Sequence, residues 1–263
     1  MRYTIALAQC GFPADGDVLS QVDHLAAEAA GHNADLLVFP EDLMSPRPLD
    51  PAGLREVAEP LDGAFAHEMA TIARRHGLWI VFTMYEARSE GRQPFNTAVL
   101  IDGSGTVRGS YRKCHLYDAH GVLESERTGM GEELFSPVVA PFATIGLGIC
   151  YDLRFPELAR AEAVAGSDVL LFLSAWHDGP EKAEHWETLL RARAIENEVF
   201  VAGVCKAGER YVGESLVADP LGRVIARLEG KGEGLLVCEI DTDEVARARD
   251  AMPLLEHRRP ELY

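Results

Sequence analysis

The chain has 263 residues, 47% apolar and 25% charged, enough for one large α/β domain or two smaller ones. Its net charge of −17 leaves no basic stripe to neutralise phosphates, which argues against a nucleic-acid binder, and it disfavours an anionic membrane. The same acidity is accounted for by solubility alone.

The five cysteines (Cys10, Cys114, Cys150, Cys205 and Cys238) are scattered and contain no CxxC pair, so reduced thiols are expected rather than a disulfide frame or a zinc site. The nine histidines show no HExxH spacing. The opening MRYTIALAQC enters a strand pattern with no signal peptide ahead of it. No apolar run approaches the ~18 residues of a membrane span. A soluble, cytoplasmic protein is expected. Only four of the 25 basic residues are lysines (Lys113, Lys182, Lys206 and Lys231), so each lysine raises the question of why arginine was not used.

Alternation predicts a first strand over Tyr3 to Gln9, and apolar residues at helical spacing predict a helix over Val18 to Ala30. Leu36 to Phe39 reads as a buried strand ended by Pro40-Glu41-Asp42, and a proline-bearing loop (Pro46, Pro48, Pro51) follows. A helix over Ala64 to Arg75, a strand over Leu78 to Tyr85 and a hairpin over 96–111 complete the first half. A loop is expected from Asp118 to Glu133. The short, uncharged run Thr144 to Ile149 reads as a central strand, with a helix from Phe155 to Ala165. Strand 168–173, helix 182–196, strand 199–205, a hairpin over 213–228, strand 235–240 and helix 242–249 follow. Strands and helices alternate in both halves, and each half carries a hairpin of similar build. The expected fold is an α/β four-layer α-β-β-α sandwich of two mixed sheets with helices outside. No Ser/Gly-rich linker divides residues 1–263, so a single domain is expected; the tail from about 251 to 263 is too polar for core and either reaches a neighbouring subunit or frays.

Three strand ends deliver unusual residues: Glu41 after LLVFP, Lys113 after the hairpin and Cys150 after TIGLGI. Carboxyl ends of neighbouring strands converge on one rim in α/β folds, and ligands bind there. A carboxylate, an ammonium and a thiol together form a hydrolytic set of base, oxyanion partner and nucleophile. Cys150 sits where a strand hands over to a helix, so free N–H groups and the helix dipole are expected to favour its thiolate.

The stretches FPED around Glu41, YRKCHLYD around Lys113 and GLGICYDLRFPELAR around Cys150, with SAW at 174–176, RARAIEN at 191–197 and LLEHRRPELY at the end, span nearly the whole chain. On these the chain resembles the nitrilase superfamily of carbon–nitrogen hydrolases, close to its amidase-like Nit-type branch. The resemblance implies a catalytic triad of Glu41, Lys113 and Cys150, a second glutamate at Glu124 of Leu123-Glu124-Ser125, and a homodimer or larger homo-oligomer. Glu126, two residues on, competes with Glu124. True nitrilases usually carry Cys-Trp-Glu, whereas Cys150-Tyr151-Asp152 matches the amidase-like members. The expected reaction is therefore hydrolysis of a small, aliphatic amide through a thioester, with no cofactor and no metal. Nitriles, N-carbamyl amines and dicarboxylic monoamides are the alternative substrates; the last would need a cation for the distal carboxylate, for which Arg154 is a candidate.

Each residue also has a plainer reading. Cys10, Cys205 and Cys238, inside strand patterns, read as core. Cys114 competes with Cys150, although its side chain should point opposite to that of Lys113. Glu41 could cap a loop, and Lys113 or Glu124 could be solvated. Trp176, at the end of an apolar strand, reads as a pocket wall or as core, and Tyr151 as a substrate contact through its backbone N–H. Arg191, Arg193 and Glu196 read as a structural ion-pair network. The remaining alternative is a binding protein with a dead site, against which the intact set of three residues argues.

Overall fold

The computed structural model describes residues 1–45 and 47–262, so Pro46 of the proline-bearing loop and Tyr263 of the tail lie outside the described residues. The strands form two six-stranded mixed sheets. The first sheet runs, in spatial order, Gly234–Asp241, Arg2–Gln9, Leu36–Val38, Trp79–Glu86, Phe95–Ile101 and Val107–Arg112. The second runs Val224–Arg227, Leu216–Ala218, Phe200–Cys205, Val169–Ser174, Thr144–Ile149 and Val138–Val139. In each, three parallel strands stand at the centre and antiparallel strands flank them. Parallel strands are buried on both faces, which is why Leu36–Val38, Val169–Ser174 and Phe200–Cys205 read as continuous apolar runs.

Side-chain alternation divides the core. In the first sheet Ile5, Leu7, Leu36, Val38 and Val81 share a cluster with Ile145, Leu147 and Ile149 of the second sheet. Their neighbours Ala6, Ala8, Leu37, Phe39 and Phe82 turn the other way, onto helices Val18–Gly31 and Ala64–His76. Helices Pro156–Val164 and Lys182–Asn197 cover the outer face of the second sheet through Leu158, Ala159, Trp186 and Leu190. The expected four-layer sandwich is the observed one. Gln9 ties the two halves, accepting at Oε1 from the Ser215 N–H (2.9 Å) and hydroxyl (2.8 Å).

Several short elements go beyond the sequence expectation. A helix Pro51–Val57 lies in the proline loop: Pro51 opens it at no hydrogen-bond cost, and Asp50 accepts from the Gly53 N–H at 2.8 Å. Within 118–133, expected as loop, Asp118–Ala119 pairs with Val122–Leu123. His120 (φ +51°) and Gly121 (φ +79°) form the turn, the pair of positive φ values that suits a two-residue hairpin. A 3-10 turn Glu124–Glu126 follows. Another 3-10 turn, Cys150–Arg154, separates the central strand from its helix, which begins at Pro156. Gly146 and Gly148 serve packing: a Cβ on Gly148 would stand 2.6 Å from the Phe172 ring.

The tail beyond helix Asp243–Ala251 is largely exposed, as its polarity suggested. No helix among the described residues is long and apolar enough to cross a membrane.

Candidate active site

Glu41 follows the short strand Leu36–Val38 and is buried, at 5% exposure. Its Oε1 accepts from Asn96 Nδ2 (2.8 Å) and Lys113 Nζ (2.9 Å), and its Oε2 from the Ala175 N–H (2.9 Å). Three donors from three strand ends thus fix the carboxylate. Lys113, one residue past strand Val107–Arg112, continues the pairing through its N–H to Asn96 O (2.9 Å) and sends its side chain into the core. Cys114 turns the other way, its thiol on the carbonyls of Arg112 and Glu133, as strand alternation required.

The Lys113 ammonium also donates to both oxygens of Glu124, at 2.9 and 2.8 Å, and Glu124 in turn accepts from the Tyr117 N–H at 2.7 Å. Glu126 is exposed. The 3-10 turn thus presents Glu124, and not Glu126, to the lysine.

Cys150 is partly buried and adopts φ +47°, a left-handed conformation that costs a non-glycine residue about 1–3 kcal/mol. Its thiol lies in the same cleft as the Glu41 carboxylate. Glu41, Lys113, Glu124 and Cys150 line one open cleft of about 500 Å³. A narrower extension of about 270 Å³ is lined by Cys150, Tyr151, Arg154, Trp176, His177 and Lys182, with Tyr117 at the join. Trp176 is buried yet forms one wall, and the Arg154 guanidinium lies 4.7 Å from its ring centroid. Lys182 lies 5.6 Å from the Tyr117 ring centroid.

Burial raises the Glu41 carboxyl above the usual range, and the Lys113 charge opposes this without cancelling it. Burial also works against the Lys113 ammonium, but Glu124 and Glu41 outweigh it and hold its pKa well above the usual lysine range. Burial and the Glu41 charge push the Cys150 thiol well above the usual thiol range, with Lys113 only partly offsetting them. This corrects the expectation of a thiolate at rest. Burial and the adjacent carboxylate outweigh the junction, which leaves a thiol beside the Glu41 carboxyl group. Burial lowers the His177 pKa below the usual imidazole range.

Sequence reasoning missed Asn96, the Ala175 N–H, Tyr117 and Lys182. Asn96 opens the hairpin strand and Ala175 stands in the SAW motif, so both were visible only as motif neighbours. Arg193 and Glu196 pair at 2.8 Å as expected, and Arg193 Nε also holds the Leu153 carbonyl at 3.1 Å. Arg191 instead pairs with Glu187 at 3.3 Å. Among the described residues no group of three or more His, Cys, Asp or Glu side chains could hold a metal ion.

A thiol, a carboxyl group with a raised pKa and a lysine between two carboxylates thus share one strand-end cleft, and comparison with known proteins gives the class. The chain belongs to the carbon-nitrogen hydrolase family, whose model matches residues 4–250, and is a nitrilase-superfamily enzyme of the Nit type acting on amides. It is 38% identical over 257 residues to the human deaminated glutathione amidase, covering 91% of this chain and 76% of that protein. The NitFhit protein of Caenorhabditis elegans superposes with a TM-score of 0.89 at 32% identity, over all of this chain and 66% of that one. A double mutant of the amidase from Nesterenkonia sp. AN1, in complex with acrylamide, superposes with a TM-score of 0.84 at 29% identity, over 99% of this chain and 95% of that one. Another mutant of that amidase shows covalent addition of the acetamide moiety of fluoroacetamide at its active site cysteine.

Proposed function

We propose that the chain hydrolyses small carboxylic amides to acid and ammonia, with Cys150 as nucleophile, Glu41 as general base and acid, and Lys113 as the oxyanion partner. The observation that carries this reading is the arrangement at Glu41, whose buried carboxylate takes the Lys113 ammonium at 2.9 Å and lines one cleft with Cys150. As Cys150 Sγ bonds to the amide carbon, its proton passes to Glu41 and the carbonyl oxygen becomes an oxyanion. Lys113 and the Tyr151 N–H meet that charge; a single well-placed donor of this kind contributes about 3 kcal/mol. Glu41 then protonates the leaving nitrogen, the C–N bond breaks, and a thioester remains. Glu41 takes a proton from water, whose oxygen bonds to the thioester carbon; the C–S bond then breaks, the proton returns from Glu41 to the sulfur, and the acid leaves. A carboxyl with a raised pKa suits a group that must both accept and return protons near neutrality. Glu124 holds Lys113 in place against the pull of Glu41. The acetamide adduct on the cysteine of the Nesterenkonia amidase supports the cysteine's role by likeness.

Within the amides, one observation favours a substrate with a distal carboxylate over a plain aliphatic amide. In a strongly acidic chain, the extension beyond Cys150 carries two cations, Arg154 and Lys182. The deaminated glutathione amidase relative fits an acyl group of this kind. The same reading takes residues 1–263 as one domain, paired as a homodimer; a monomer in sedimentation would overturn the pairing. An ammonia-release screen over aliphatic amides, dicarboxylic monoamides, nitriles and N-carbamyl compounds tests the substrate reading. Dicarboxylic monoamides are expected to give the highest kcat/KM. A preference for nitriles or carbamyl compounds would sink it.

A further inference from the structure

Asp152 is fully buried and lies outside the hydrolytic set, yet it holds residues that flank both Cys150 and Lys113. Its Oδ2 accepts from the Ile149 N–H (2.9 Å) and from the Tyr111 hydroxyl (2.9 Å). Its Oδ1 accepts from the His115 N–H (3.1 Å) and from His115 Nδ1 (2.7 Å). Ile149 immediately precedes Cys150, and Tyr111 and His115 stand two residues before and two after Lys113. His115 stacks on Phe155 at 3.7 Å, closing the carboxylate off beneath the 3-10 turn. The Tyr111 hydroxyl also accepts from the Cys114 N–H at 3.2 Å, which extends the hold along the Lys113 segment.

We propose that Asp152 is a positioning residue that sets the left-handed Cys150 elbow and the Lys113 segment in one register; this rests on Cys150 being the nucleophile and Lys113 its oxyanion partner. Cys150 at φ +47° must be held by its surroundings, since the conformation is unfavourable by itself. A carboxylate offers acceptors only, so it takes all four donors at once. An amide in its place cannot. One backbone N–H falls on each oxygen, so either orientation of an asparagine amide sets its NH2 against the Ile149 N–H or the His115 N–H. The cysteine side or the lysine side must then shift, and misplacement of reacting groups by about 1 Å costs on the order of 100-fold in rate.

The test is the Asp152→Asn protein, with Tyr111→Phe as the milder variant that leaves the carboxylate three of its four donors. Two readouts are taken on folded protein: kcat and KM for the preferred amide, and the rate of Cys150 alkylation by chloroacetamide, resolved by peptide mass spectrometry with Cys238 as internal reference. Asp152→Asn is expected to lower kcat about 100-fold with KM nearly unchanged, and to slow alkylation of Cys150 but not of Cys238. Tyr111→Phe is expected to show the same pattern at about tenfold or less. A merely structural role would lower the melting temperature and leave alkylation of the folded protein unchanged. Asp152→Asn with wild-type alkylation and kcat overturns the proposal; if that variant does not fold, wild-type values in Tyr111→Phe overturn it. The alkylation readout needs no substrate, so it still decides if the amide reading fails.

Discussion

Lys113 Nζ lies 2.9 and 2.8 Å from the two carboxylate oxygens of Glu124, so the one buried ammonium of the cleft is held by a second carboxylate as well as by Glu41. Without Glu124, Lys113 would settle on Glu41 alone. That would hold Glu41 as carboxylate more strongly and draw the ammonium away from the oxyanion. Glu124→Gln is therefore expected to lower kcat by about 100-fold and to move the acid limb of the pH profile down, since the Glu124 charge helps raise the Glu41 pKa. Glu126→Gln, on an exposed side chain, should change neither. Steady-state kinetics across pH on the two variants checks both.

The wild-type pH profile has a sign fixed by the site. Below its pKa Glu41 is protonated and cannot accept the thiol proton, so kcat/KM rises with pH through a midpoint above the ordinary 4.5. The Cys150 thiol lies well above 9.0 and Lys113 well above 10.5, so no alkaline fall is expected below pH 9.0. A fall between pH 7 and 8 would assign an essential proton to another group.

How much of this was legible in the sequence follows from what each residue needs. Lys113 and Cys150 stood out because strand ends and the scarcity of lysine mark them. Alternation alone placed Cys114 opposite Lys113. The protonated thiol was not legible, because it depends on Glu41 arriving from 109 residues earlier in the chain and on burial that no local window reports. Helix Pro51–Val57 was legible in principle from Asp50-Pro51, yet a segment with three prolines reads first as loop. Asp152 was visible only as part of a motif. Three of its four donors come from the Lys113 segment, 37 to 41 residues away in the chain, which is tertiary information.

Arg154 and Lys182 bear on substrate choice. Arg154→Gln is expected to raise KM for a dicarboxylic monoamide about tenfold while leaving an uncharged aliphatic amide nearly unaffected, because only the first loses a charge-assisted hydrogen bond. Equal effects on both substrates would place the carboxylate elsewhere.

Glu162 offers a stability test away from the cleft. It is 1% exposed on helix Pro156–Val164, and neither carboxyl oxygen has a hydrogen-bond partner of good geometry. Burial holds its pKa well above 4.5, with only the Leu147 N–H near enough to favour the charge. A folded pKa above the unfolded one contributes stability that is complete below the unfolded pKa and is lost as pH rises through the folded one. Glu162→Met should therefore stabilise the protein by about 1–3 kcal/mol at pH 8, and by less near pH 4. Urea unfolding at the two pH values reads the difference, and a gain that shrinks with rising pH would contradict it.

The central claim is that the thiol of Cys150 forms the acyl-enzyme. The most direct measurement is ammonia release from the preferred amide by purified Cys150→Ala protein, with folding confirmed by circular dichroism. The mechanism predicts no release above buffer, while the wild-type protein quenched during turnover carries an acyl group on Cys150. Sustained ammonia release by the folded Cys150→Ala protein would contradict it.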